Sequence, residues 1–205
     1  MPKNKSSDLH GSAPDQSSVV LLLVDTISDM EFDGGEELFQ HALPAARNIA
    51  RLKKRAKAAG IPVVYVNDNY GRWQSDLMKI VEHASSKGVR GRAIAELLRP
   101  EEDDYFVLKP KNSAFFSTTL AILLEHLGAR TLILTGVDGN ICILYTAGDA
   151  HMRDYRVVVP SDCIASKSVE VNRWALDQMR TAVDADTTAS DELDLNRLLA
   201  ESAED

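Results

Sequence analysis

The chain has 205 residues, 44% of them hydrophobic, which suits one core-bearing domain with or without tails. Its longest apolar run, Ser18 to Val24, is strand-sized and far short of the roughly 20 residues of a membrane helix, so no membrane-spanning helix is expected. The net charge is -8, but eight acidic residues against Arg197 alone lie between Thr181 and Asp205, so the body carries about -1 and its acidity says little about ligands.

Residues 1–17 are polar, lack a signal-type apolar segment and read as a flexible arm, with a cytoplasmic location expected. Five β-rich runs follow, at Ser18 to Val24, Pro62 to Val66, Tyr105 to Leu108, Thr131 to Thr135 and Arg156 to Pro160. Helical patterns separate them. The first runs from Gly35 to a stop at Gly60, and its basic stretch Arg51 to Lys57 reads as a solvated face rather than a nucleic-acid patch. Shorter helical segments lie around Gln74 to Ser86 and Arg92 to Arg99, and another starts near Ser113 as a cap and stops at Gly128. A helix opens near Gly139 or Asn140, and a further one covers Ser168 to Val183. Strands alternating with helices predict an α/β fold with a mostly parallel sheet between two helical layers, a domain over 18–183. The segment 184–205 reads as an acidic tail with a short amphipathic helix, capped at Ser190 and carrying Leu193, Leu195, Leu198 and Leu199.

Ligands of such sheets bind at the carboxyl ends of the strands. There the sequence places Asp25 after the first run, Asn67 to Trp73 after the second, Lys109 after the third and the Gly136 to Cys142 turn after the fourth. Cys142 in a first helical turn is either small buried filling or a nucleophile favoured by free backbone N–H groups and the positive dipole end. Lys109 is a surface lysine or a charge partner, and Asp25 a loop cap or an acid-base group. Taken together the three make a coherent unit of nucleophile, cation and base. Cys163, after the fifth run, reads as a buried small residue, and both cysteines as free thiols.

The stretches Leu21 to Phe32, Val107 to Leu120 and Leu134 to Tyr155, in this order and each at a strand end, resemble the isochorismatase-like cysteine hydrolases, which include nicotinamidases and N-carbamoylsarcosine amidases. The resemblance implies a Rossmann-like three-layer α/β/α sandwich and an Asp25-Lys109-Cys142 triad. It also implies a cis peptide between Val137 and Asp138, and an oxyanion hole formed by the backbone N–H groups of Asp138 and Cys142. The implied reaction is hydrolysis of a small amide or other C–N bond through a thioester, without an organic cofactor. A small-molecule substrate and a homo-oligomer, dimer or tetramer, are the expected partners.

Two departures bear on the substrate. Many members carry Asp-x-Gln after the first strand, where this chain has Asp25-Thr26-Ile27, and Asp138-Gly139 replaces a frequent Ala-Thr. The histidines of a nicotinamidase metal site have no equivalent in the loop after the second run, so no metal is expected. Asn67, Asn69, Tyr70, Trp73 and Phe115 are the candidate pocket residues, with turn formation the alternative for Asn67 and Asp68. From a different class, the fold could serve as a non-catalytic binding or assembly module.

Overall fold

The computed structural model describes residues 16–71 and 76–204; most of the N-terminal arm and the candidate Trp73 fall outside them. The strands are β1 (Val19–Val24), β2 (Val63–Asp68), β3 (Tyr105–Lys109), β4 (Thr131–Val137), β5 (Arg156–Val158) and β6 (Ile164–Ala165). The helices are α1 (Gly35–Ala58), α2 (Leu77–Ala84), α3 (Arg92–Leu97), α4 (Leu120–Leu127), α5 (Leu144–His151), α6 (Val169–Ala182) and α7 (Leu195–Glu204). All strand pairs are parallel in the order β3-β2-β1-β4-β5, and the two-residue β6, which the sequence patterning does not reveal, extends the sheet beside the carboxyl end of β4. None of the described helices is long and apolar enough to cross a membrane.

Strand β1 shows why the sandwich forms. All six of its residues are fully buried, and their alternation sends Val19, Leu21 and Leu23 into one apolar layer and Val20, Leu22 and Val24 into the other. The first layer is closed by α1, α2, α3 and α7, the second by α4, α5 and α6. At roughly 1.5–3 kcal/mol for each fully buried Val or Leu side chain, this strand is a major contributor to the core.

The sequence-based boundaries need two corrections. Helix α4 begins at Leu120 rather than near Ser113, because the Ser/Thr-rich stretch before it makes its own bonds. The Ser113 hydroxyl binds Asp149, Thr118 Oγ1 donates to the Ala114 carbonyl at 2.6 Å, and Ser117 takes a φ of 54° that no α-helix allows. Helix α7 is capped by Asp194, whose Oδ1 accepts from Arg197 N at 3.0 Å, and not by Ser190, which is bound to Asp162 through both its amide and its hydroxyl. Leu193, Leu195 and Leu198 are buried against the chain's own core, and the Ser202 and Thr131 hydroxyls meet at 2.6 Å. Gln16 and Ser17 are also attached, through Ser17 N to the Leu127 carbonyl at 2.8 Å.

Strand order reverses at β1 and β4, and there the two backbones come close together. Gly136, in register with Val24, has a φ of 118°, and a Cβ on it would lie 2.0 Å from the Val24 carbonyl oxygen. Since neither backbone can move aside cheaply, Gly136→Ala is expected to destabilise the fold by about 3 kcal/mol or more. A denaturant midpoint equal to that of the wild type would contradict this.

Candidate active site

Asp25 is the first residue beyond β1 and Lys109 the last of β3, so both arrive at the carboxyl edge of the sheet, close to the point where strand order reverses. The Asp25 amide donates to the Val66 carbonyl at 2.9 Å, and its Oδ1 accepts from the Asp68 amide at 2.7 Å. These two bonds fix the carboxylate. Its Oδ2 lies 2.7 Å from Lys109 Nζ, an ammonium with 0% side-chain exposure. Lys109 is therefore the buried charge partner and not a surface lysine. Its Nζ also donates to the Lys111 carbonyl at 3.1 Å and to Cys142 Sγ at 3.5 Å.

Cys142 stands in a short π-helical turn, Gly139–Ile143, that opens into α5. The wider turn shows in the bond from Ile143 N to the Asp138 carbonyl, five residues back, at 3.2 Å. The Val137-Asp138 peptide bond is cis. Gly139 has a packing reason to lack a side chain, since a Cβ there would lie 2.7 Å from Asn172 Oδ1 and 2.8 Å from Ser166 Oγ. Helix α6 and the residue after β6 thus press directly on the turn. Asp138 Oδ1 is buried without a hydrogen-bond partner, and burial pushes this carboxyl above the usual range against the pull of the Ser166 hydroxyl.

The three groups share one electrostatic unit. Burial raises the Asp25 carboxyl by more than the Lys109 charge and the Cys142 hydrogen bond lower it. Burial alone would depress the Lys109 ammonium, yet the charge of Asp25 holds it above the ordinary lysine range. Burial, then the Asp25 charge, pushes the Cys142 thiol up to about 12. A thiol in that state is not a preformed thiolate; it needs a base at the moment of attack, and Asp25 is in hydrogen-bonding contact with it.

The pocket candidates divide. Asn67 is fully buried and is spent on the backbone of Ile27, accepting from its N–H at 3.1 Å and donating to its carbonyl at 2.7 Å. Tyr70 Oη donates to that carbonyl at 3.1 Å, and Asn69 Oδ1 closes a turn with Gly71 N at 2.9 Å. The Ile27 side chain is in the core, so the loop after β1 is anchored there by its side chain and its backbone together. Phe115 is buried in the second apolar layer, its ring 6.0 Å from that of Tyr155 and 4.8 Å from the Arg153 guanidinium. Cys163 is buried in the layer beneath α1. Asp68, a turn candidate in the sequence, also lies at the site. Asp68 pairs in register with Lys109, and its Oδ2 is 3.8 Å from Nζ.

A model of the isochorismatase domain matches residues 19–192. The chain belongs to the isochorismatase family. It is 42% identical over 173 residues, 84% of this chain and 94% of the relative, to the uncharacterized isochorismatase family protein YaaI of Bacillus subtilis. It is 30% identical over 165 residues, 76% of this chain and 84% of the relative, to an Arabidopsis thaliana protein named "Probable inactive nicotinamidase". The crystal structure of N-carbamoylsarcosine amidase from Thermoplasma acidophilum superposes with a TM-score of 0.66 at 28% identity, over 86% of this chain and 99% of that one. The metal-binding pattern of the family's nicotinamidases does not fit this member. Tyr70 follows Asp68 by two residues and commits its hydroxyl to Ile27, and among the described residues no group of three or more His, Cys, Asp and Glu is placed to hold a metal ion.

Proposed function

We propose that this isochorismatase-family hydrolase cleaves a small, non-peptide amide or related C–N bond through a thioester on Cys142. The observation that carries the reading is Lys109 Nζ standing 2.7 Å from Asp25 and 3.5 Å from Cys142 Sγ at the strand-order reversal. Asp25 takes the thiol proton as Sγ attacks the carbonyl carbon. The backbone N–H groups of Asp138 and Cys142 receive the developing oxyanion, while Lys109 holds Asp25 in place and balances its charge. Collapse of the tetrahedral intermediate breaks the C–N bond, and Asp25 returns the proton to the departing nitrogen. Water, deprotonated by Asp25, then cleaves the thioester, freeing the acid and restoring the thiol.

The kinship with an N-carbamoylsarcosine amidase supports a C–N bond as the target. A homo-oligomer in the cytoplasm is part of the proposal. The test is a panel of small amides, ureas and carbamoyl compounds, assayed for ammonia or amine release, with intact-protein mass read during turnover. An acyl mass on the Cys142 peptide together with amine release is the expected result. If no compound is turned over and none leaves an adduct on Cys142, the non-catalytic binding module takes its place.

A further inference from the structure

We propose that Asp68 is a specificity-determining residue that makes this site favour neutral or positively charged substrates and exclude carboxylate-bearing ones, a proposal that rests on the hydrolase reading above. Asp25 Oδ2 already sits against Lys109 Nζ at 2.7 Å, so the ammonium is matched before any ligand enters. Asp68 adds a second carboxylate 3.8 Å from the same nitrogen. Two carboxylates then face one ammonium, and the surplus is negative.

Exposure decides which group an incoming molecule meets. The Lys109 and Asp25 side chains are 0% and 13% exposed, whereas Asp68 is 35% exposed. The more solvent-facing of the charges gathered on the ammonium that contacts the nucleophile is therefore the unmatched carboxylate. Its position is held: Oδ1 accepts from the Tyr70 amide at 2.5 Å, its own amide binds Asp25, and its backbone is paired to Lys109 in the sheet. Of the nearby cations, Arg153 is paired with Asp149 and stacked on Phe115, and Lys167 Nζ donates to the Asp33 carbonyl at 3.2 Å. Among the described residues, Lys109 is the only cation joined by an ion pair or hydrogen bond to Asp25, Asp68 or Cys142. A fixed, partly shielded charge a few ångströms from a ligand group discriminates by sign by about tenfold or more.

Two alkylating reagents of nearly equal shape test this on the whole protein without needing the substrate. Iodoacetamide is neutral and iodoacetate anionic, and the ratio of their rates at Cys142, read on its peptide by mass spectrometry, is compared with the ratio for free cysteine. Any change in the ionisation of the thiol affects both reagents alike and cancels. The expected result is a preference for iodoacetamide about tenfold or more beyond that of free cysteine, largely lost in Asp68→Asn and retained in Asp68→Glu. Asparagine keeps an acceptor for the Tyr70 amide, and an unchanged melting temperature checks that the site is still assembled. A ratio equal to that of free cysteine, or one unmoved by Asp68→Asn, overturns the proposal. The amide panel separates the two readings: turnover indifferent to substituent charge leaves the hydrolase standing and removes the selector, while charge-selective alkylation without turnover does the reverse.

Discussion

Cys142→Ala is expected to abolish hydrolysis, with a loss on the order of 10⁴- to 10⁶-fold in kcat, and to leave the melting temperature nearly unchanged. The small effect on stability follows from its place in the turn, where it is only partly buried and packs at the margin of the core. Asp25→Asn is the companion variant. It keeps an acceptor for the Asp68 amide but cannot take the thiol proton, and kcat should fall by about 10²- to 10⁴-fold. The pH profile of the wild type carries the same information. Asp25 must be ionised to act as base, and its pKa is raised, so activity is lost as pH falls through a value above the ordinary carboxylate range. Lys109 is raised as well, so loss of its charge begins only above the ordinary lysine range, about 10.4. Steady-state kinetics from acid to alkaline pH check both limbs. A profile whose acid limb survives Asp25→Asn would assign the base elsewhere.

Lys109→Met should cost both activity and stability. Removing the ammonium leaves a largely buried Asp25 without its cation, a loss of about 3–5 kcal/mol at neutral pH. For a chain of this size that is a fall of about 10 °C in Tm. The sign of its pH dependence is diagnostic. Without Lys109 the Asp25 carboxyl rises further above its unfolded pKa, so the folded variant binds that proton more tightly than the unfolded chain does. The stability deficit is therefore smallest at acid pH and grows as pH rises through the elevated Asp25 pKa. Melting curves of variant and wild type at about pH 5 and pH 8 measure it. An equal deficit at both would mean that the lysine contributes packing rather than charge.

The sheet and the three central groups are legible in the sequence for one reason. Apolar runs mark the strands, and in a parallel sheet the residue just past each run reaches the binding edge, so Asp25, Lys109 and the Cys142 turn can be placed without coordinates. Side-chain direction is not written in that pattern. Phe115 and Asn67 lie in the right segments but face Tyr155 and the Ile27 backbone, choices made by packing partners far away in sequence. Local chemistry also competes. Ser190 and Asp194 are both sound cap residues, and Asp194 wins because Asp162, nearly 30 positions earlier, claims Ser190. Asp68 reads as turn chemistry because its carboxylate does serve the neighbouring Tyr70 amide; only strand register shows that it also lies beside Lys109. The two residues of β6 are too short to leave a periodic signal.

In the proposed mechanism Asp25 and Lys109 govern the proton on Cys142, and the decisive measurement is peptide-resolved alkylation by iodoacetamide across pH, in the wild type and in Asp25→Asn. A thiol pushed up to about 12 reacts near neutral pH only with a base at hand. The wild-type Cys142 should therefore alkylate over a neutral plateau bounded below by the ionisation of Asp25. In Asp25→Asn the plateau should vanish, leaving reaction at alkaline pH alone, while Cys163, buried beneath α1, stays slow in both proteins. If Cys142 and Cys163 titrate alike, with profiles that Asp25→Asn does not move, the covalent mechanism is wrong.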